Sequence, residues 1–180
     1  MRIISGKYKK INLEGFTING TRPTMDRVKE SMFAMIQNHI KDTIVLDLFA
    51  GSGALGIEAL SMGAKKCYFV DNNAIAIDTI RKNGTKLSGA NYQIIKQDFV
   101  KALEILKDEN QKFDLILLDP PYQSGYLNES IRMIAEYNLL NSDGLIVCEY
   151  EDIELEFNCF KIYKEKKFGS KIVTILENDL

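Results

Sequence analysis

Histidine is nearly missing from this 180-residue chain, His39 being the single one. That scarcity leaves little room for a histidine-centred relay or a multi-histidine metal site, so any catalysis must draw on carboxylates, amides, aromatics or a cofactor. Cysteine is scarce too. Cys67, Cys148 and Cys159 are odd in number, far apart and in no C-x-x-C pair, which argues against a disulfide framework or a zinc site and fits a reducing compartment. Long apolar runs are lacking: Met1 to Lys10 is basic with no apolar stretch behind it, which matches neither a signal peptide nor a membrane span. Repeats, low-complexity tracts and Pro/Gly/Ser linkers are also missing. A cytoplasmic protein is expected.

What is present suits one domain with a small appendage. With 46% hydrophobic and 27% charged residues, a chain of this length buries roughly 70% of its unfolded surface and needs no covalent or metal staple. The formal net charge of −2 hides an uneven distribution. Residues 1–43 carry +4, residues 44–160 carry −8 and residues 161–180 carry +2. A basic front therefore precedes an acidic body.

Residues 2–20 alternate short apolar pieces with Gly6, Gly15 and Gly20, predicting one or two short strands in hairpins. Pro23-Thr24 then opens a helical face of Val28, Met32, Met35/Ile36 and Ile40, with Thr24 a plausible N-cap. From residue 44 short apolar runs alternate with helical stretches, the pattern of βαβ units around a parallel sheet. Strands are predicted over 44–48, 67–71, 92–96, 113–118 and 144–150, with helices over about 53–62, 73–88, 99–107 and 125–137. Residues 155–163 and 171–177, around Gly169-Ser170, read as an antiparallel hairpin closing one edge. The division expected is a basic extension, 1–43, and a catalytic domain, 44–180.

The sharpest local signal is Gly51-Ser52-Gly53-Ala54-Leu55-Gly56, a G-x-G-x-x-G placed where the first parallel strand turns into its helix. Such a turn lets the backbone approach a ligand closely and aims a helix N-terminus at it. Asp71, at the end of the second strand, can accept both hydroxyl protons of a ribose. Strand, loop, helix, strand and acid together describe a nucleoside-cofactor site, with Phe49, Ala50, Gly51, Ser52, Gly53, Asp71 and Asn72 as its residues. Asp47 bears on the cofactor's charge. A carboxylate near the end of a buried strand needs a donor, and would repel a pyrophosphate but welcome the ammonium or sulfonium of S-adenosylmethionine. A structural acid bonded to backbone is the alternative for Asp47. Asp98 can accept from an adenine amine while Phe99 covers the ring, and Asp98 can equally cap the helix that follows.

A second signal is Asp119-Pro120-Pro121-Tyr122, after the fourth strand. The two prolines stiffen the segment. Asp119 and the Pro120 carbonyl can each accept one hydrogen of a planar exocyclic amine, aligning its lone pair toward an electrophilic methyl and stabilising the charge that develops on nitrogen. Tyr122 offers a flat face for stacking a base.

Together the glycine loop, Asp71, Asp98 and Asp119-Pro120-Pro121-Tyr122 resemble a class I S-adenosylmethionine-dependent amino-methyltransferase. The opening Met1-Arg2-Ile3-Ile4-Ser5-Gly6-Lys7-Tyr8, with Thr21-Arg22-Pro23-Thr24, Asp26-Arg27-Val28-Lys29-Glu30 and the late Lys166-Lys167-Phe168-Gly169, resembles the bacterial family that methylates guanine N2 in 16S ribosomal RNA. The resemblance spans nearly the whole chain. It implies an α/β, Rossmann-like class I methyltransferase fold, a seven-stranded mostly parallel sheet whose last strand is antiparallel. It also implies S-adenosylmethionine over the glycine loop, Thr24 beside its pocket, guanine at Asp119 to Tyr122, and 16S ribosomal RNA, naked or in a partly assembled small subunit, as partner.

Arg2, Lys7, Lys9, Lys10, Arg22, Arg27 and Lys29 suit phosphate contacts, with Tyr8 and Phe16 available for stacking on unpaired bases. A solvated surface is the alternative, since a pI near 5.6 does not mark a nucleic-acid binder. The lysines of 164–167 read either as protection of a sheet edge or as a second phosphate contact. His39 reads as a residue near a helix C-terminus. Two rival functions stand beside the methyltransferase: a dinucleotide oxidoreductase, which leaves Asp47 and Asp119-Pro120-Pro121-Tyr122 unexplained, and a non-catalytic RNA-binding module. Adenine N6 and DNA are the alternative amine substrates.

Overall fold

The computed structural model describes residues 1–15, 23–122 and 125–180, without the side chains of Pro23 and Thr24. Five parallel strands alternate with helices: β1 (Ile44–Asp47), α2 (Ala54–Ser61), β2 (Lys66–Asp71), α3 (Ala74–Gly84), β3 (Tyr92–Lys96), α4 (Phe99–Asp108), β4 (Phe113–Leu118), α5 (Tyr126–Glu136) and β5 (Leu140–Glu151). Helix α1 (Pro23–Ile36) precedes them, and a hairpin of β6 (Phe160–Phe168) and β7 (Lys171–Asn178) closes the chain. The sheet order is β3-β2-β1-β4-β5-β7-β6. β7 pairs antiparallel with both β5 and β6, so it alone runs against the rest. The seven-stranded, mostly parallel sheet with an antiparallel last strand is as expected.

Both faces of the sheet are covered at its centre, which is why β1, β2, β4 and β5 are nearly continuous apolar runs rather than alternating ones. One core joins Val45, Leu115 and Val147 to Ile57 of α2, Ile77 and Ile80 of α3 and Met32 and Ile36 of α1. The other joins Leu46, Ile116 and Ile146 to Leu103 and Leu106 of α4 and Ile131 and Ile134 of α5. Ile3, Tyr8 and Leu13 lie in the first of these cores. The described residues of 1–43 therefore share this core with 44–180.

One short hairpin is formed at the N-terminus, where Arg2 bridges Asn12 antiparallel and Ile3 N and Leu13 N donate to Ile11 O at 3.0 Å and Met1 O at 2.8 Å. The backbone donors between have other partners. Ile4 N and Ser5 N donate to the Glu58 carboxylate, Lys7 N to Ser61 O at 2.7 Å and Tyr8 N to Ser61 Oγ at 3.0 Å, fastening the segment to α2. Helix α1 starts at Pro23, so Thr24 lies in its first turn rather than at its cap; proline is suited to that first position because its missing N–H has no helical acceptor. Helix α3 ends at Gly84, short of 88, where Lys86 N and Leu87 N bond back three residues in tightening turns. Strand β6 begins at Phe160 rather than 155. Residues 157–160 turn first, with Phe160 N on Phe157 O and Asn158 at φ 53°.

Candidate active site

The carboxyl ends of β1 to β5 and the start of β7 border one cavity of about 1500 Å³. Its first half is organised by backbone hydrogen bonds. After β1 the chain turns into α2 at Gly53, whose φ of +83° is a left-handed conformation that a side chain would strain. Gly56 permits a close approach: a Cβ there would lie 2.4 Å from Phe69 Cε1 and 2.7 Å from Cys67 Sγ. The third glycine thus lets α2 press onto β2. Gly51 N donates to Asp71 Oδ2 at 2.9 Å, and Asn73 N to Asp71 Oδ1 at 2.9 Å, tying the loop to the end of β2.

Phe49, Ala50, Gly51, Ser52, Asp71, Asn72, Asp98 and Phe99 all line the cavity. Gly53 and Asp47 do not. Asp47 is buried behind the loop, where its Oδ2 accepts from Gly56 N at 3.0 Å. Burial, with repulsion from Asp71, pushes its carboxyl up to about 7 against the pull of the Gly56 N–H. Asp47 thus props the loop from behind, the buried structural acid that the sequence offers as its alternative reading. Asp98 caps α4 through Lys101 N at 3.0 Å and also lines the cavity. The Thr24 side chain lies outside the described residues, although its neighbours Met25 and Asp26 line the cavity.

The second half is organised by side-chain charge. Asp119, Pro120, Pro121 and Tyr122 follow β4 and all line the cavity, with the Tyr122 side chain 44% exposed. Glu149 of β5 and Lys171 of β7, neither singled out by the sequence, complete this half. Lys171 Nζ pairs with Glu149 Oε1 at 3.2 Å, and Tyr122 Oη lies 3.5 Å from the same oxygen. Burial first, and the neighbouring Glu149 second, hold the Asp119 carboxyl well above its ordinary range, against the opposing Lys171 charge. Burial lowers Lys171, but its contacts with Tyr122 and Glu149 outweigh this and leave it raised. The signal for Lys171 is its position directly after the Gly169-Ser170 turn; for Glu149 it is a charge set within the continuously buried stretch of β5. Tyr126, at the start of α5, was missed as well. Its ring lies 4.9 Å from that of Phe99 and stacks on Phe49 at 6.3 Å, between the two halves.

Of the basic front, Arg2, Lys7, Lys9, Lys10 and Arg27 are exposed. Two of its members are not available. Tyr8 is buried with its hydroxyl on Ser88 O at 2.7 Å, which removes it from base stacking, and Lys29 is buried against Glu58 at 3.3 Å. Arg22 and Phe16 lie outside the described residues. Lys164 Nζ donates to Met35 O at 3.0 Å, and His39, exposed in a 3-10 turn after α1, meets Tyr163 edge-on at 5.6 Å. No helix among the described residues is long and apolar enough to cross a membrane.

This geometry is matched by known proteins. The family model described as "Conserved hypothetical protein 95" matches residues 1–177. YlbH of Bacillus subtilis, whose name makes it a candidate rRNA methyltransferase, is 43% identical over 157 residues, covering 86% of this chain and 85% of its own. The ribosomal RNA small subunit methyltransferase D of Haemophilus influenzae is 37% identical over 155 residues, covering 84% and 79%. The solved structure of yhhF from Escherichia coli superposes with a TM-score of 0.86 at 29% identity, over 99% of this chain and 97% of that one. With a glycine loop, an acid after β2 and Asp119-Pro120-Pro121-Tyr122 on one cavity, the chain belongs to the Conserved hypothetical protein 95 family, alongside the bacterial ribosomal RNA small subunit methyltransferases D.

Proposed function

We propose that the protein transfers a methyl group from S-adenosylmethionine to the N2 amine of a guanine in 16S ribosomal RNA. The observation that carries this reading is one acidic cavity shared by Asp71 and Asp98 on one side and by Asp119 to Tyr122 on the other. Among the described residues seven carboxylates line it, from Asp26, Asp71, Asp98, Asp119, Glu129, Glu149 and Glu151, against the lysines Lys29 and Lys171. Such walls favour a cationic ligand and repel the pyrophosphate of a dinucleotide, so the residues present fit S-adenosylmethionine better than NAD.

When bound, S-adenosylmethionine supplies an electrophilic methyl carbon on a sulfonium. Asp71 and Asp98 are placed to hold ribose hydroxyls and an adenine amine, with Gly51 and Ser52 admitting the ligand beside the backbone. Asp119 in its ionised form and the Pro120 carbonyl accept the two amine hydrogens and aim the nitrogen lone pair, and Asp119 takes the proton that the methylated nitrogen releases. The raised proton affinity of Asp119 strengthens it as an acceptor while positive charge grows on that nitrogen. Tyr122 stacks the base, turned out of the RNA into the cavity. Arg2, Lys7, Lys9, Lys10, Arg22 and Arg27 are assigned to RNA phosphates, and Thr24 to closing the cofactor end.

The test is methylation of small-subunit RNA, free or partly assembled, by the full chain, followed by mass mapping of nucleosides. N2-methylguanosine is expected. N6-methyladenosine, or methyl transfer to DNA alone, overturns the substrate. Calorimetry with S-adenosylhomocysteine against NAD checks the cofactor, and binding of NAD alone overturns it.

A further inference from the structure

Three strand ends lie side by side at the second half of the cavity. Leu118 is in register with Cys148, which places Asp119 next to Glu149, and Glu151 is in register with Lys171. Glu149 and Glu151 are two apart on β5 and share a face, so Asp119, Glu149 and Lys171 form a row of carboxylate, carboxylate and ammonium across β4, β5 and β7. The ammonium is held by Glu149 at 3.2 Å, and Tyr122, the stacking platform, touches the same carboxylate through its hydroxyl at 3.5 Å.

The Watson–Crick edge of guanine presents, in order, the N2 amine as donor, N1–H as donor and O6 as acceptor. Adenine presents an amine donor, then N1 as acceptor, with no oxygen. The row on the protein is complementary to the first edge and not to the second. We propose that Glu149 accepts from guanine N1–H and Lys171 donates to guanine O6, so that this pair selects the base whose amine Asp119 then receives. This inference rests on the guanine N2 reading and adds the residues that make it selective.

Small-subunit RNA carrying 2-aminopurine at the methylated position provides the probe. That base keeps the amine to be methylated but lacks both N1–H and O6. The full-length protein is expected to prefer guanine over 2-aminopurine by about a hundredfold or more in kcat/KM, since a site built on hydrogen bonds leaves its own groups unpaired with the wrong base. Glu149→Gln, whose amide can donate to the unprotonated N1 of 2-aminopurine, should cut that preference at least about tenfold. Lys171→Met, at the more exposed end of the row, should slow methylation of guanine at least about tenfold more than that of 2-aminopurine, and it carries the test if Glu149→Gln loses its cooperative melting transition. A merely structural role would slow both bases equally. Equal slowing, with N2-methylguanosine still the wild-type product, overturns this inference alone. A wild-type product other than N2-methylguanosine overturns the substrate reading and this inference with it.

Discussion

Two lysine–glutamate pairs in this molecule have almost the same separation, Lys29 with Glu58 at 3.3 Å and Lys171 with Glu149 at 3.2 Å. Their surroundings differ. The Glu58 carboxylate also accepts from Ile4 N and Ser5 N, Lys29 also donates to Arg2 O at 3.0 Å, and the two side chains are 6% and 1% exposed. That pair is spent on holding the N-terminal segment against α2. The second pair is 20% and 10% exposed and borders the cavity. A charge saturated by backbone is architecture, whereas a charge left facing a cavity is available to a ligand.

Removing a cavity-facing charge should cost activity and not folding. The largest effect expected is for Asp119→Ala, about a 10³-fold loss in kcat with calorimetric affinity for S-adenosylhomocysteine nearly intact; near-full turnover would contradict the mechanism. Asp47 stands between the two classes, buried like Glu58 and accepting from Gly56 N at 3.0 Å. Its carboxyl is raised from 3.8 to about 7, so between those values the folded state keeps a proton that the unfolded state has released. Stability from this group is therefore full below pH 4 and is lost as pH rises through 7. Asp47→Asn should raise stability by up to about 4 kcal/mol at pH 8 and leave it nearly unchanged at pH 3.5, measured by denaturant melts at the two values. A gain of equal size at both values would break the assignment.

Breaking the saturated pair should do the reverse of Asp119→Ala. Lys29→Met leaves Glu58 buried without its cation and should cost about 3 kcal/mol of stability, with kcat reduced far less than by Asp119→Ala in the protein that remains folded. If Lys29→Met lowered kcat without lowering the melting temperature, the division between the pairs would fail. The smallest effect concerns exposed cations. Charge reversal at Lys9 and Lys10 should weaken RNA binding and reduce the salt dependence by about 0.7 to 0.9 in log–log slope per lost phosphate contact, with cofactor affinity unmoved.

The same contrast explains what was legible in the residues. Strands β1 to β4 fall within a residue of their expected bounds because a doubly covered parallel strand is written as a short apolar run between turns. Strand β6 was misplaced because it has no such pattern: from Lys161 to Lys167 it is exposed on both faces, so burial imposes no alternation. At the site, residues fixed by local chemistry were readable, among them the glycine loop, Asp71, Asp98 and Asp119-Pro120-Pro121-Tyr122. Residues that matter through neighbours remote in sequence were not. Glu149 and Lys171 acquire meaning only from the pairing of β5 with β7, and the burial of Tyr8 and Lys29 only from α2. Asp47 shows the limit within one motif, since the chain alone left both readings open and only the bond to Gly56 N decides between them.

β7 runs against its neighbours, so it offers its beginning where they offer their ends. Lys171 therefore enters the row straight from the Gly169-Ser170 turn, on the shortest leash a hairpin allows. A strand laid the other way would have brought its last residue there, trailing a loop of arbitrary slack. The direction of one strand thus sets how tightly a reading group is tethered, and topology, more than side-chain identity, fixes the tolerance with which this edge can measure a base.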